Sequence, residues 1–300
     1  MKRTLLILLS ILLGVFIVLS VLGTKGDYAA EKAIHMVNRK YAKIQQDTLA
    51  TPEAEFMAVI EGYKSFLKKY PDSRLVPFAH ILIGRTFAYK KDFNSARDTF
   101  ERISQQYAKD RPVVAAQAII EIAAVYALEE DTVGILKSYE RLQRDFSTTE
   151  QGLKAPITYA RISAKRDPLG ALRYFDNAIA HYRFVMQNNP KTVIEFKALN
   201  YIASCYMTQH KYVEARDIYT ELLLTYAESE YLSAPVASLY LKTINTLSIV
   251  EMGDFDKPVA IYEQFMAKYP QHPLNNLLKT MIQGINELKK RQSEKVTPGA

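Results

Sequence analysis

The feature that most constrains the fold is a ladder of mostly apolar residues that occurs six times along the 300-residue chain. In each copy the positions are 0, +3, +7, +10 and +14, and the +7 residue is aromatic in all six. Steps of three and four residues place such side chains on one face of an α-helix. The six ladders cover residues 56–70, 93–107, 132–146, 175–189, 212–226 and 255–269. The +7 residues are Tyr63, Phe100, Tyr139, Tyr182, Tyr219 and Tyr262.

A long coiled coil would also show apolar residues at alternating steps of three and four. Each ladder, however, spans only about four helical turns. Turn-forming residues then interrupt it, as at residues 71–73 (Pro-Asp-Ser) and 188–190 (Asn-Asn-Pro). Other amphipathic stretches lie between the ladders, so the sequence predicts a series of units, each built as helix, short turn, helix. These stretches are residues 75–89, 113–128, 153–164, 194–208 and 232–250.

Several residues indicate where the predicted helices begin. Asp92, Asp131 and Asp254 stand just before ladders, where a carboxylate can accept the free N–H groups of a first helical turn. Asp167-Pro168 has the pattern of a cap followed by proline at the first helical position, so we expect a lengthened helix to begin there. We expect residues 29–291 to be helical throughout, without a sheet, and to end in a closing helix over residues 274–290.

The spacing between ladders, 37 to 43 residues, leaves repeats of the tetratricopeptide and HEAT types open. The internal pattern resembles the tetratricopeptide signature, which has Gly or Ala and then an aromatic residue in the first helix, and Ala-x₃-Phe in the second. The residues at these offsets include Gly84, Phe87, Ala96 and Phe100, and also Ala203, Tyr206, Ala215 and Tyr219. The resemblance implies an all-α fold: an α-solenoid of about six helical hairpins over residues 26–291, preceded by one hydrophobic helix.

The resemblance also implies where a partner would bind. In tetratricopeptide proteins a concave groove is lined by first-helix residues that face away from the signature positions. The corresponding residues here are Arg85, Tyr89, Asn200, Ser204 and Thr208. As surface residues, Arg85 and Asn200 are expected to change stability by no more than about 0.5 kcal/mol when replaced by Ala. The aromatic ladder residues Phe100, Tyr139 and Tyr219 are expected to be buried between hairpins.

The N-terminal segment predicts a membrane anchor over residues 1–25. Residues Thr4–Leu22 carry no charge and, as a helix, would span about 28 Å, close to the hydrocarbon thickness of a bilayer. Lys2 and Arg3 precede the run and favour a cytoplasmic N-terminus, which places the repeats on the extracytoplasmic side of the inner membrane. A signal peptide cleaved after Gly23 is the alternative, although its apolar region is normally shorter. Residues 292–300 are predicted to be a disordered basic tail.

Residues 63–73, Tyr-x-x-Phe-Leu-x-x-Tyr-Pro-Asp-Ser, are similar to repeats of bacterial cell-envelope tetratricopeptide proteins. These include the lipoprotein subunit of the outer-membrane β-barrel assembly machinery and the coordinator of cell-wall constriction in the Tol-Pal system. The present chain differs from the lipoprotein because no cysteine follows the apolar run, so a lipid anchor is not expected. The resemblance implies a location in the bacterial envelope.

The sequence gives no indication of catalysis. It lacks zinc, phosphate-loop and nucleophile-elbow motifs, its five histidines are scattered, and its one cysteine, Cys205, precedes an aromatic core position. Cys205 is therefore interpreted as a small buried hydrophobe. The net charge of +7 is spread along the chain and gathered at its C-terminal end, which does not favour nucleic-acid binding.

We therefore expect no enzyme activity, no cofactor and no metal site. The favoured function is a protein-protein interaction scaffold, tethered in the envelope, that binds a peptide or partner protein. The alternatives are a structural subunit of an envelope assembly or secretion complex and, less favoured, an envelope enzyme with a helical accessory region.

Overall fold

The computed structural model describes residues 27–296 of the chain. Within that range the chain forms thirteen α-helices and one short π-helical segment, without a strand. The expectation of an all-α fold is therefore confirmed for these residues. None of these helices combines the length and the apolar composition needed to cross a membrane. The apolar run Thr4–Leu22 and the helix predicted for it lie outside the described residues.

The described part of the chain divides into two compact units, with the boundary between Gln151 and Gly152. The helices that belong to the N-terminal unit are α1 (Asp27–Gln46), α2 (Glu53–Lys69), α3 (Val76–Tyr89), α4 (Phe93–Tyr107), α5 (Pro112–Leu128) and α6 (Thr132–Asp145). Helix α7 (Glu150–Arg166) begins just before the division. The C-terminal unit continues with α8 (Ala171–Gln187), α9 (Val193–Thr208), α10 (Tyr212–Tyr226), α11 (Ala234–Asn245), the π segment (Thr246–Glu251), α12 (Asp256–Lys268) and α13 (Asn275–Val296).

The helices pair as successive hairpins, and we call the members of each pair its first and second helix. The six ladders coincide with the second helices α2, α4, α6, α8, α10 and α12. In the N-terminal unit each helix packs against the next, and the first helix α3 also contacts the first helices α1 and α5. Contacts confined to near neighbours along the chain are typical of stacked repeats.

Most of the +7 aromatic residues lie in the core, as their periodicity predicts. Phe100 is 1% exposed, and Tyr63, Tyr182 and Tyr262 are fully buried. The hydroxyl groups of these three tyrosines donate to protein oxygens, Tyr63 to Asn38 Oδ1 at 2.8 Å and Tyr182 to the Leu153 carbonyl at 2.9 Å. The hydroxyl of Tyr262 donates to the Leu241 carbonyl at 3.0 Å.

The expectation that Tyr139 and Tyr219 are buried is wrong, because both are only half-buried. A phenol hydroxyl taken out of water needs a hydrogen-bond partner. Neither of these two hydroxyls has a protein partner among the described residues, so they keep contact with solvent while their rings pack. The Tyr219 ring lies 5.3 Å from that of Tyr240, centroid to centroid.

The signature residues of the second hairpin meet as the resemblance implies. A Cβ atom added to Gly84 of α3 would lie 2.5 Å from Cε1 of Phe100 on α4, a separation that real carbon atoms do not adopt. Gly134 of α6 approaches the ring of Tyr126 on α5 in the same way. Glycine at these points lets a first helix and a second helix pack closely across an aromatic ring.

Four hairpins have a residue of left-handed backbone conformation in the turn between their first and second helices. With φ near +60°, these residues are Lys91, Glu130, His210 and Gly253. In the first three turns the next N–H bonds the carbonyl five residues back, as from Asp92 to Phe87 at 2.9 Å. This is the hydrogen-bond pattern of a Schellman motif, which ends a helix and reverses the chain.

The predicted caps are confirmed at all three aspartates. Asp92 Oδ1 accepts from the N–H of Ser95 at 3.1 Å, and Asp131 Oδ1 from that of Gly134 at 3.0 Å. Asp254 Oδ1 accepts from the N–H groups of Asp256 and Lys257 at 3.2 and 3.0 Å. Each carboxylate therefore satisfies donors that a first helical turn leaves free.

Two predicted boundaries are wrong. Helix α8 begins at Ala171 instead of Pro168, because Asp167 Oδ1 accepts from the Gly170 N–H at 3.1 Å and closes a turn before the helix. Helix α13 continues to Val296, so residues 292–296 of the predicted disordered tail are helical. No glycine or proline interrupts the chain between Ile285 and Val296, so nothing ends the helix earlier.

The turn geometry predicts that Glu130→Gly stabilises the chain by about 0.5 kcal/mol, because a Cβ atom is unfavourable at positive φ and glycine avoids this strain. Thermal unfolding followed by circular dichroism would measure the change. Glu140→Gly, in the middle of α6, is the matched control and should destabilise by about 1 kcal/mol. A lower melting temperature for Glu130→Gly would contradict the turn assignment.

Candidate binding surface

The first helices α1, α3 and α5 lie side by side in the N-terminal unit, and polar side chains connect them. Arg85 on α3 makes two hydrogen bonds to Glu121 on α5, from Nε to Oε2 at 2.9 Å and from Nη2 to Oε1 at 2.5 Å. Gln117 Nε2 donates to the same Glu121 Oε1 at 2.7 Å, and Gln151 Nε2 donates to Gln117 Oε1 at 3.2 Å. The carboxylate of Glu121 is therefore held by donors from two helices.

Arg85 is thus more than a solvated surface residue. Its hydrogen bond to Glu121 raises the pKa of the guanidinium further above its ordinary value, against the opposing effect of burial. Glu121 is only 8% exposed, so its charge depends on these partners. Arg85→Ala should therefore destabilise the chain by more than the roughly 0.5 kcal/mol expected for a surface residue.

Tyr89 lies one turn beyond Arg85 and contacts α1. Its hydroxyl accepts from Gln45 Nε2 at 3.1 Å, and its ring centroid is 5.9 Å from that of Tyr41. Arg85 and Tyr89 line a shallow pocket of about 190 Å³, together with small and aliphatic side chains. We call it the α3–α5 pocket; its other lining residues are Ala88, Phe100, Glu121, Ala124, Val125 and Leu128.

In the C-terminal unit, Asn200, Ser204 and Thr208 follow one another along α9 at four-residue steps. Asn200 Oδ1 accepts from the Tyr240 hydroxyl on α11 at 2.6 Å, and Ser204 Oγ accepts from Arg161 Nη2 on α7 at 3.1 Å. The exposed Thr208 bonds only the backbone, through Oγ1 to the Ser204 carbonyl at 2.9 Å. Two of the three residues therefore link α9 to neighbouring first helices.

The hydrogen-bond partners of these residues were not predicted from the sequence. Glu121 is the only charged residue of α5, a helix otherwise rich in Ala, Ile and Val. A single carboxylate in such a helix indicates a paired buried charge, since isolated charges are rarely buried. Gln117 stands four residues earlier and therefore on the same face. No comparable signal marks Tyr240 or Arg161.

Cys205 is fully buried, as the sequence interpretation requires, and burial raises the pKa of its thiol to about 12. Thiolate, the nucleophilic form, is therefore scarce at neutral pH. The described residues also contain no group of three or more His, Cys, Asp or Glu side chains placed to hold a metal ion.

The burial of Cys205 predicts slow reaction of the native chain with a thiol reagent such as Ellman's reagent. One equivalent should react promptly once the chain is unfolded in guanidinium chloride, which supplies the control. The absorbance at 412 nm measures both rates. Prompt stoichiometric labelling of the folded chain would contradict the packing of α9.

Comparisons with known proteins give similarity at the level of structure alone. Neither a protein-family model nor a curated protein matches the chain. The chain is similar to a tetratricopeptide repeat protein from Parabacteroides merdae, at 14% identity, over 87% of this chain and 89% of that one, with a TM-score of 0.38. It is also similar to the TPR2AB domain of yeast Sti1 in its pHSP90 complex, at 13% identity, over 87% and 100% of the two chains, with a TM-score of 0.32.

Proposed function

We propose that the chain is a non-catalytic tetratricopeptide-type scaffold that binds a peptide or a segment of a partner protein on its first helices. The observation that carries the proposal is the α3–α5 pocket, where the guanidinium of Arg85 and the hydroxyl of Tyr89 border an apolar surface. Leu128 in this pocket is 60% exposed, so aliphatic surface is available to a partner. A pocket of this size accepts one side chain of a bound peptide, while the Tyr89 hydroxyl bonds its backbone.

The location proposed for this scaffold is the bacterial envelope. Residues 4–22 would tether it to the inner membrane, with the repeats on the extracytoplasmic side. The uncharged run and the preceding Lys2-Arg3 support this location. The intact mass of the protein purified from its native host tests the tether. A mature N-terminus at Thr24 would instead indicate a cleaved signal peptide and a free exported protein.

Cross-linking and mass spectrometry in the native host would identify the partner, and variants would then locate its binding site. Leu128→Asp places a charge in the α3–α5 pocket and is expected to weaken capture of that partner at least tenfold. Asn200→Ala tests the second predicted position, on α9.

Val113→Asp is the matched control for Leu128→Asp. Val113 lies on the same helix, is 56% exposed and does not line the pocket, so its replacement should leave capture unchanged. Equal binding by the two aspartate variants would exclude the α3–α5 pocket as the binding site, and normal binding by Asn200→Ala would exclude the α9 position.

A further inference from the structure

A second pocket of the N-terminal unit lies among α2, α3 and α4, and its volume is about 410 Å³. Pockets that bind small molecules usually measure about 300–1,000 Å³ and combine an apolar lining with a few polar groups. The apolar lining here consists of Leu67 from α2, Ile83 and Phe87 from α3, and Ile103 from α4. We call this cavity the α2–α4 pocket.

The α2–α4 pocket is separate from the α3–α5 pocket. An α-helix turns about 100° per residue, so Ile83 and Phe87 share one face of α3, whereas Arg85 and Tyr89 lie on the opposite face. The two pockets therefore open on different sides of the same helix. A ligand of the α2–α4 pocket would contact the second helices α2 and α4, whereas the α3–α5 pocket is lined mainly by the first helices α3 and α5.

Every ionisable side chain that lines the α2–α4 pocket is basic. Lys64 comes from α2, His80 from α3 and Arg102 from α4, and none of the other lining residues is acidic. Burial and the positive charge of Arg102 both lower the pKa of His80 below its ordinary value. The pocket thus contains positive charge that no carboxylate of its lining balances.

The two cations are available to a ligand. Arg102 Nε donates only to the Asp98 carbonyl at 3.2 Å, and Arg102 forms no ion pair among the described residues. Lys64 pairs with Glu61 at 2.8 Å, but the two side chains are 53% and 60% exposed. Exposed pairs of this kind contribute little stability, so an anion in the pocket can replace Glu61.

We propose that the α2–α4 pocket binds a small molecule in which an apolar chain ends in a carboxylate. The carboxylate bonds Arg102 and Lys64, because a guanidinium matches the two oxygens of a carboxylate. The apolar chain lies against Leu67, Ile83 and Phe87. Two sources have this chemistry, a medium-chain fatty acid and the free C-terminus of an apolar peptide.

Isothermal titration of the full-length chain in lipid nanodiscs, with empty nanodiscs as the blank, tests the proposal. The probes are octanoate and octanamide, which differ in charge, and N-acetyl-leucyl-leucine for the peptide source. Octanoate or the dipeptide is expected to bind, and the tighter of the two identifies the source. Octanamide should bind at least tenfold more weakly than octanoate, because it lacks the charge that Arg102 and Lys64 recognise.

Variants test whether binding depends on the charges that line the pocket or on the general positive charge of α2. Arg102→Gln, and Gln106→Glu in the pocket lining, should each weaken binding of the better probe about tenfold. Lys68→Gln removes a charge one turn from Lys64 that does not line the pocket, and it should bind like the unchanged chain. Circular dichroism confirms that each variant is folded. The proposal is overturned if neither carboxylate binds, if octanamide binds as tightly as octanoate, or if Lys68→Gln and Arg102→Gln weaken binding equally.

Discussion

Phe100→Ala is expected to destabilise the chain by about 3–5 kcal/mol, because the ring is 1% exposed and its removal leaves a cavity that rigid neighbours cannot close. The ring also fills the space beside Gly84 of α3, where no Cβ atom would fit. Its loss therefore removes a packing contact between the two helices of the second hairpin. Urea and thermal unfolding followed by circular dichroism would measure the effect.

Phe78→Ala is the matched control, since Phe78 lies on α3 of the same unit and is 47% exposed. Its melting temperature should lie close to that of the unchanged chain. Gly84→Ala supplies an independent check, because its Cβ would press on the Phe100 ring and cost about 1–3 kcal/mol. In the double variant Gly84→Ala/Phe100→Ala the two effects should be less than additive, since alanine at 100 gives the new methyl group space. Equal melting temperatures for Phe100→Ala and Phe78→Ala would show that the ladder register is wrong.

The ladders predicted the second helices well, because two independent signals coincide in them. Large side chains recur at helical spacing, and turn residues or cap aspartates mark the ends, as at Asp92 before α4. Depth of burial was predicted less well. Tyr139 and Tyr219 occupy the same ladder position as Tyr63, yet among these three only the Tyr63 hydroxyl has a hydrogen-bond partner within the described residues. That partner, Asn38, lies on the preceding first helix, where no ladder constrains the sequence.

The last hairpin shows how one additional residue is accommodated. In three hairpins the closing N–H bonds the carbonyl five residues back, whereas Asp254 bonds Ser248, six residues back, at 2.7 Å. The π segment Thr246–Glu251 absorbs the additional residue, because a π turn holds one residue more than an α turn. From the sequence, only the spacing of 43 residues between the ladders that begin at 212 and 255 marks this unit as longer, since a local change of hydrogen-bond spacing leaves no separate mark in the apolar pattern.

The polar contacts between first helices could not be predicted from the sequence, for a different reason. Arg85 and Glu121 belong to consecutive hairpins and stand 36 residues apart, so their distance depends on how the hairpins stack. The resemblance located Arg85 on the predicted face but gave no account of its partner. The same holds for Asn200 and Tyr240, which join α9 to α11. Predicted binding residues of this kind also have structural roles, so a binding test must separate the two.

Arg85→Met is expected to destabilise the chain by about 2 kcal/mol, because it leaves the buried carboxylate of Glu121 with Gln117 as its remaining side-chain donor. The estimate stays below the 3–5 kcal/mol typical of fully buried pairs, since the Arg85 side chain is 39% exposed and water can partly replace it. Methionine keeps most of the apolar stem of Arg85. The loss of stability therefore measures mainly the charged hydrogen bonds and, to a lesser extent, packing. Urea unfolding of the single variant provides the measurement.

A double variant and a control test whether the destabilisation comes from the unpaired Glu121 carboxylate or from the loss of an arginine charge as such. Arg85→Met/Glu121→Leu should recover most of the stability, because replacing both members of a buried pair with apolar residues removes the unpaired carboxylate. Arg144→Met is the matched control: Arg144 also makes two bonds to one carboxylate, that of Asp145, but its side chain is 72% exposed. Its melting temperature should equal that of the unchanged chain. If the double variant were as unstable as Arg85→Met, the unpaired charge of Glu121 would not be the cause of the destabilisation. The hydrogen bonds between Arg85 and Glu121 would then stabilise the packing of α3 against α5 directly.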